Sequence, residues 1–308
     1  LNQTLRLVRR RVKDAFYGAS LRLLRARVAR LSDDAAWRLG IRLGSVCRRV
    51  ASREAERAKA NLALAFPDRS SQDIEAMTRL CFAHLAVNVV EILRFERLGS
   101  ETIRDTVEFV GAEHLDAALQ KGKGCIVLTA HVGNWELLAA ALAHHGFRTD
   151  AIVRELRSRS LNRMLTVQRT LGGYRPLSRT ADIREAIRSL RDNRLLGVLP
   201  DVDTAVASVF VEFFGRPAAT PVGPVMISRK FGAAVVPIFI RRVDRFRHRV
   251  EAHPALEWYE SGNARHDLVV NVQKYTSLIE AQIRLAPEQW IWMHERWKRQ
   301  PDTAPVGS

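Results

Sequence analysis

The chain has only three cysteines, Cys47, Cys81 and Cys125, in 308 residues. Three is odd in number and none has metal-ligand spacing, so neither a disulfide framework nor a zinc site is expected. Long apolar runs are missing too. No stretch reaches about 18 consecutive apolar residues, so no clean transmembrane helix is expected. Acids are scarce: 33 Asp and Glu stand against 49 Lys and Arg, for a formal charge of +16. That balance predicts an anionic partner, and nucleic acid, anionic lipid and an acidic carrier protein all qualify. No nucleic-acid motif is recognisable and the basic residues are not interleaved with an aromatic platform, which argues against nucleic acid. There is no internal repeat, low-complexity tract or Gly/Ser linker to divide the chain.

What is present is a globular composition, 47% hydrophobic, in a chain long enough to bury a real core. Residues 1–31 are unusual. They carry nine bases (Arg6, Arg9, Arg10, Arg11, Lys13, Arg22, Arg25, Arg27 and Arg30) against one acid, Asp14. Leu5, Val8, Val12 and Phe16 recur at helical spacing, as do Leu21, Leu24, Val28 and Leu31. This reads as a basic amphipathic helix lying on an anionic membrane surface. It is too basic, with too short an apolar core, for a cleaved signal peptide.

Residues 32–100 read as a helical layer, with helices over Arg57–Phe66 and Ser71–Phe95. Residues 101–300 alternate. Strands are expected at Gly124–Ala130, Thr149–Val153, Leu195–Leu199, Val209–Phe214, Ala234–Ile240 and Arg249–His253. Helices are expected at Trp135–His145, Ser158–Leu171, Ala181–Asp192, Pro221–Phe231, His266–Leu285 and Glu288–Arg299. The alternation predicts one α/β domain: a central mixed sheet flanked by helices, behind a helical N-terminal layer, with residues 301–308 as a tail.

The most informative stretch is Leu128-Thr-Ala-His131-Val-Gly-Asn134-Trp-Glu136. An apolar strand ends in a polar cluster that opens a helix. With His131 on the loop and Glu136 in the first helical turn, the two side chains are expected to meet. A carboxylate on one ring nitrogen fixes the tautomer and raises the basicity of the other, making His131 a general base. The pair lacks a serine, so the substrate must supply the nucleophile. Asn134 caps the helix or bonds substrate. Asp201 and Asp203 end a strand, where α/β sheets place ligands. Two carboxylates without a histidine are a thin metal set, and arginine pairing is expected instead. Phe210, Phe213, Phe214 and Pro217 read as core before they read as an acyl tunnel. Thr220-Pro221 reads as an N-cap with proline at the first helical position.

The string His131-Val-Gly-Asn-Trp-Glu136 resembles the lipid A secondary acyltransferases, within the glycerolipid acyltransferase superfamily. Further segments match in order: Asn61-Leu-Ala-Leu-Ala-Phe-Pro67, Pro200-Asp-Val-Asp203, Phe213-Phe-Gly-Arg-Pro217 and Pro287-Glu-Gln-Trp290-Ile-Trp-Met-His294-Glu-Arg-Trp297-Lys. Three positions depart from the family pattern: Val202, where the family usually has glutamine, Glu212, where it often has proline, and Glu295, where it is commonly basic. The resemblance implies a glycerolipid acyltransferase-like fold and no metal or cofactor. It implies that His131 and Glu136 are catalytic, and that Arg154 and Arg296, with Asn134, Asp201 and Asp203, bind substrate. The implied donor is an acyl thioester on acyl carrier protein or coenzyme A. The implied acceptor is a hydroxyl of a lipid A precursor at the cytoplasmic face of the inner membrane. A mannosylated phosphoinositide acceptor is the alternative, and a basic membrane- or nucleic-acid-binding protein without catalysis is the second.

Overall fold

The computed structural model describes residues 23–97, 99–156, 158–178 and 183–301. Most of the expected basic N-terminal segment, residues 1–22, and residues 302–308 of the tail therefore lie outside the described residues.

The helical layer comes first, as expected. Helix α1 (Asp33–Val50) starts where the Ser32 side chain accepts from the Ala35 N–H, and Asp33 and Asp34 fill its first turn. Helix α2 (Ser52–Ala65) stops just before Pro67, and α3 (Ser71–Ile92) opens on a reciprocal capping box between Ser70 and Asp73. Helices α1 and α3 pack with almost no gap. A Cβ on Gly40 would sit 2.6 Å from the Val87 side chain, and one on Gly44 would sit 2.5 Å from the Ala83 Cα. Glycine at both positions is what lets the two backbones approach.

A short helix α4 (Ser100–Thr106) leads into the alternating region. It contains β1 (Val107–Val110), α5 (Ala112–Leu119), β2 (Cys125–Leu128), α6 (Trp135–His144), β3 (Thr149–Val153), α7 (Arg159–Leu171), β4 (Arg175–Ser178), α8 (Ile183–Arg191) and β5 (Leu195–Val198). A two-stranded ribbon follows, β6 (Ser208–Phe213) against β7 (Arg216–Pro221), then α9 (Gly223–Phe231), β8 (Ala234–Asp244), β9 (Arg247–Ala252) and α10 (Ala264–Leu285). Among the described residues the main sheet has seven strands in the order β1-β9-β8-β2-β5-β3-β4. All neighbours are parallel except β8 and β9. The fold is thus α/β with a mixed sheet, as the alternation predicted.

Strand β2 is buried along its whole length, which suits a central parallel strand covered on both faces. Its side chains alternate between two cores. Ile126 and Leu128 join Leu196, Val235 and Phe239 on one face, and Cys125 and Val127 join Leu195, Val236 and Ile238 on the other. Burial pushes the Cys125 thiol up to about 12, so it is an inert core residue.

Three expectations need correction. Glu288–Arg299 is not a helix: a single 3-10 turn, Pro287–Gln289, is followed by irregular chain. Its aromatic spacing reflects anchoring into the body, with Trp290 and Trp292 buried. Thr220 and Pro221 do not start a helix but end β7. The helix begins at Gly223, with Pro224 in its first turn. Short strands β1, β4 and β7 were not anticipated: β1 is only four residues long, Val-Glu-Phe-Val, and β4 and β7 each open on Arg-Pro, which carries little strand signal.

The close α1–α3 contact gives a first prediction. Gly44→Ala should destabilise the protein by about 1–3 kcal/mol in urea unfolding, the usual range for forced overpacking. No change in midpoint would mean that the two helices separate freely.

Candidate active site

Strands β2 and β5 are parallel neighbours with Leu128 paired to Val198. His131 lies three residues beyond Leu128, and Asp201 lies three beyond Val198. The register therefore brings them together at the C-terminal edge of the sheet, although they are 70 residues apart. His131 Nδ1 is 2.8 Å from Asp201 Oδ1, and the His131 backbone N–H donates to Asp201 Oδ2 at 2.8 Å. The Trp290 indole N–H donates to the same Oδ2, again at 2.8 Å. Asp201 is sealed from solvent: its side chain is 0% exposed, against 23% for His131. Burial pushes the Asp201 carboxyl up, but the adjacent imidazole and these hydrogen bonds outweigh it and hold the group below its ordinary value. An ionised Asp201 fixes the proton on Nδ1 and leaves Nε2 as the basic nitrogen. The ring leans edge-on against Trp135, with centroids 5.0 Å apart.

The expected contact between His131 and Glu136 is not formed. Gly133 adopts a left-handed backbone (φ +62°) between the two, and a Cβ there would sit 2.1 Å from the Ile240 carbonyl oxygen. Beyond this turn Glu136 points at α7. It accepts from Arg169 Nε at 2.9 Å and Arg169 Nη2 at 2.6 Å, and from the Tyr174 hydroxyl. Burial and the Glu136 charge raise the Tyr174 phenol well above its ordinary value, so it stays a donor. Glu136 thus clamps α6 to α7 and β4, and the carboxylate on His131 is Asp201.

The other candidates are distributed as follows. Asn134 is buried, and its Oδ1 accepts from the Leu137 N–H at 3.2 Å, so it caps α6. Its Nδ2 donates to Glu91 at 2.7 Å. Asp203 is bound by Arg299, with Nε to Oδ1 at 2.6 Å. Arg296 is fully buried, donating to the Ala219 carbonyl and the Thr220 hydroxyl, both at 2.5 Å, with its guanidinium 4.9 Å over the Phe213 ring. Burial lowers it to about 10. Arg154 is different. It is exposed just past β3, two strands from β2 and hence about 10 Å to the side of the His131 loop. Among the described residues there is no three-membered His, Cys, Asp or Glu group suited to a metal.

A buried polar network was missed. Glu91 of α3 accepts from Arg242 Nη2 at 2.7 Å and lies 2.8 Å from His248 Nε2, besides its bond to Asn134. Arg242 also donates to Asn88, and Asn88 donates to the Gly133 carbonyl at 2.7 Å. Gln289 closes the network, exchanging bonds with the Arg242 main chain while its own carbonyl accepts from the Gly133 N–H. The main-chain groups around His131 are therefore held from behind. The available signal was Asn88 and Glu91 at i, i+3 in an otherwise apolar helical run.

The model for the bacterial lipid A biosynthesis acyltransferases matches residues 7–299. The chain belongs to that family. It is therefore an acyltransferase of lipid A biosynthesis type. It is 27% identical to a lipid A biosynthesis acyltransferase of Haemophilus influenzae, over 89% of this chain and 83% of that protein. It is equally 27% identical to a lipid A biosynthesis lauroyltransferase of Escherichia coli, over 90% of each chain. A phosphatidylinositol mannoside acyltransferase of Mycolicibacterium smegmatis is 24% identical, over 93% of this chain and 91% of that protein. The matched span covers the sheet, the His131 loop and the segment carrying Trp290.

The Glu91 network predicts a loss of stability in acid. Burial raises the Glu91 carboxyl, but His248 and Arg242 overcome this and leave it well below its ordinary value of 4.5. Its contribution to stability is present above that ordinary value and is lost as pH falls below it. Glu91→Gln strands a buried Arg242, and should cost about 3–5 kcal/mol at neutral pH. It should also flatten the fall in melting temperature below pH 4.5. A variant as stable as the parent would remove Glu91 as the hub.

Proposed function

We propose that this enzyme transfers an acyl chain from an acyl thioester to a hydroxyl of a lipid A precursor, with His131 as general base and Asp201 as its orienting acid. The observation that carries this is the 2.8 Å contact between His131 Nδ1 and a buried Asp201 at the C-terminal sheet edge. In this scheme Nε2 takes the proton of the acceptor hydroxyl. The hydroxyl oxygen attacks the thioester carbonyl, giving a tetrahedral oxyanion. As that collapses, the carbon–sulfur bond breaks, and the proton passes from His131 to the departing thiolate. Asp201 stabilises the imidazolium between these steps.

Arg154 is proposed to face the oxyanion or a substrate phosphate. A guanidinium suits either group, because its paired donors lie in one plane. Support comes from its exposure on the same sheet edge as His131. We further propose acyl carrier protein as the donor's carrier and an anionic membrane surface as the working location, consistent with a formal charge of +16. No helix among the described residues is long and apolar enough to cross a membrane.

The test is acyl transfer to a lipid A precursor by folded variants, together with ¹⁵N-histidine NMR of the Nδ1 proton. Asp201→Asn and His131→Ala should each lower kcat by on the order of 10³-fold or more, as loss of an orienting carboxylate or base does elsewhere. Glu136→Gln should lower the melting temperature while keeping the His131 Nδ1–H signal, which Asp201→Asn should erase. If Glu136→Gln erased that signal and Asp201→Asn kept it, the orienting role would return to Glu136. Robust transfer to a mannosylated phosphoinositide with none to a lipid A precursor would reassign the acceptor.

A further inference from the structure

The Trp-x-Trp pair in the closing segment, Trp290 and Trp292, presents two buried indoles side by side, with centroids 4.7 Å apart and rings nearly perpendicular. Packing alone does not distinguish them. Their N–H groups do. The Trp292 N–H donates to the Pro287 carbonyl, within its own segment, at 2.5 Å. The Trp290 N–H crosses to another part of the chain and ends on Asp201 Oδ2.

We infer that Trp290 is a positioning residue for the proton transfer at His131, holding the Asp201 carboxylate and the His131 main chain in one frame. This rests on the reading of His131 as the base. The donor inventory of Asp201 supplies the first reason. Oδ1 meets the imidazole, while Oδ2 takes two N–H donors, from the His131 backbone and from Trp290. The carboxyl torsion of an aspartate is broad and roughly two-fold. Without the indole donor, Oδ2 keeps one bond and the buried carboxylate can swing.

The chemistry of indole is the second reason. It is a donor only, so it neither competes with Asp201 for the imidazole proton nor accepts one. Its direction is fixed by edge contacts with Trp292 and with Phe213, the latter at 5.7 Å. The third reason lies in the main chain. Trp290 forms an isolated antiparallel bridge with Val132, the residue after His131. The Trp290 segment therefore reaches the acid through its indole and the loop after His131 through its main chain, the Gly133 N–H donating to the Gln289 carbonyl at 3.0 Å.

The experiment uses the full chain with three replacements: Trp290→Phe, Trp292→Phe, and benzothienylalanine at position 290, which keeps the ring shape and puts sulfur in place of N–H. The readouts are kcat and KM for acyl transfer to a lipid A precursor, melting temperature, and the His131 Nδ1–H signal of substrate-free enzyme. Both changes at 290 should lower kcat by about 10–100-fold, the effect of losing a hydrogen bond to a charged group, with KM little changed. Both should also weaken the Nδ1–H signal. Trp292→Phe should lower the melting temperature comparably but leave kcat nearly intact and the signal unchanged. Full kcat and an unchanged signal with benzothienylalanine would overturn the inference. So would a Trp292→Phe variant that matched Trp290→Phe in both kcat and signal. If His131→Ala retained full transfer, the base reading itself would fall. The NMR signal, which needs no turnover, would then decide alone whether Trp290 positions the pair.

Discussion

Burying a carboxylate without solvent is the constraint from which the site follows. Asp201 is fully buried with its carboxyl held below its ordinary value, and a charge there persists only if donors are fixed around it. Three donors converge, from two segments: the His131 main chain, the His131 ring and the Trp290 indole. Each needs its own segment to be rigid. The β2–β5 pairing supplies the first, and the closing segment supplies the last. The His131 ring is held in one orientation only when both are in place.

The same logic operates one layer further back. Glu91 is a second buried carboxylate, and it gathers Arg242, His248 and Asn134 around the turn at Gly133. It belongs to α3, so the helical layer supports the His131 loop as well as covering the sheet. Asn61 extends that support to the closing segment. Its amide donates to the carbonyls of Trp292 and His294 at 2.8 and 2.9 Å. The early Asn-Leu-Ala-Leu-Ala-Phe-Pro run thus has a physical task, fixing the segment that carries Trp290.

Local pattern made the architecture legible where it was strong. Thr149–Val153 was read to the residue, and β2 and β5 nearly so, because short apolar runs bounded by polar clusters have few alternatives. The mixed sheet behind a helical layer followed from the order of elements. The pairing at the site was not legible. Glu136 is five residues from His131, whereas Asp201 is linked to it only through strand order, which pattern does not specify. The left-handed turn at Gly133 turns Glu136 toward Arg169 and Tyr174, two residues that carry no local signal. The closing segment failed for a related reason. Its aromatic spacing imitates a helix, but the residues are spaced to reach Asp201, Pro287 and the core.

Each departure from the family pattern has a partner or a packing environment in this chain. Glu212 stands where proline is common, and its backbone N–H donates to the Gln273 side chain at 2.7 Å, a bond that proline would forfeit. Glu295 stands where a base is common, and it meets Arg57 of α2 at 3.2 Å and Lys298 at 3.3 Å. The negative charge is paired locally. Val202 replaces a polar residue between two carboxylates and is buried between groups already satisfied, Asp201 by His131 and Trp290, and Asp203 by Arg299. A polar side chain at 202 would need a partner of its own, and burial without one is costly. None of the three departures contacts the His131–Asp201–Trp290 hydrogen bonds. They sit in the material around the donors on one buried charge.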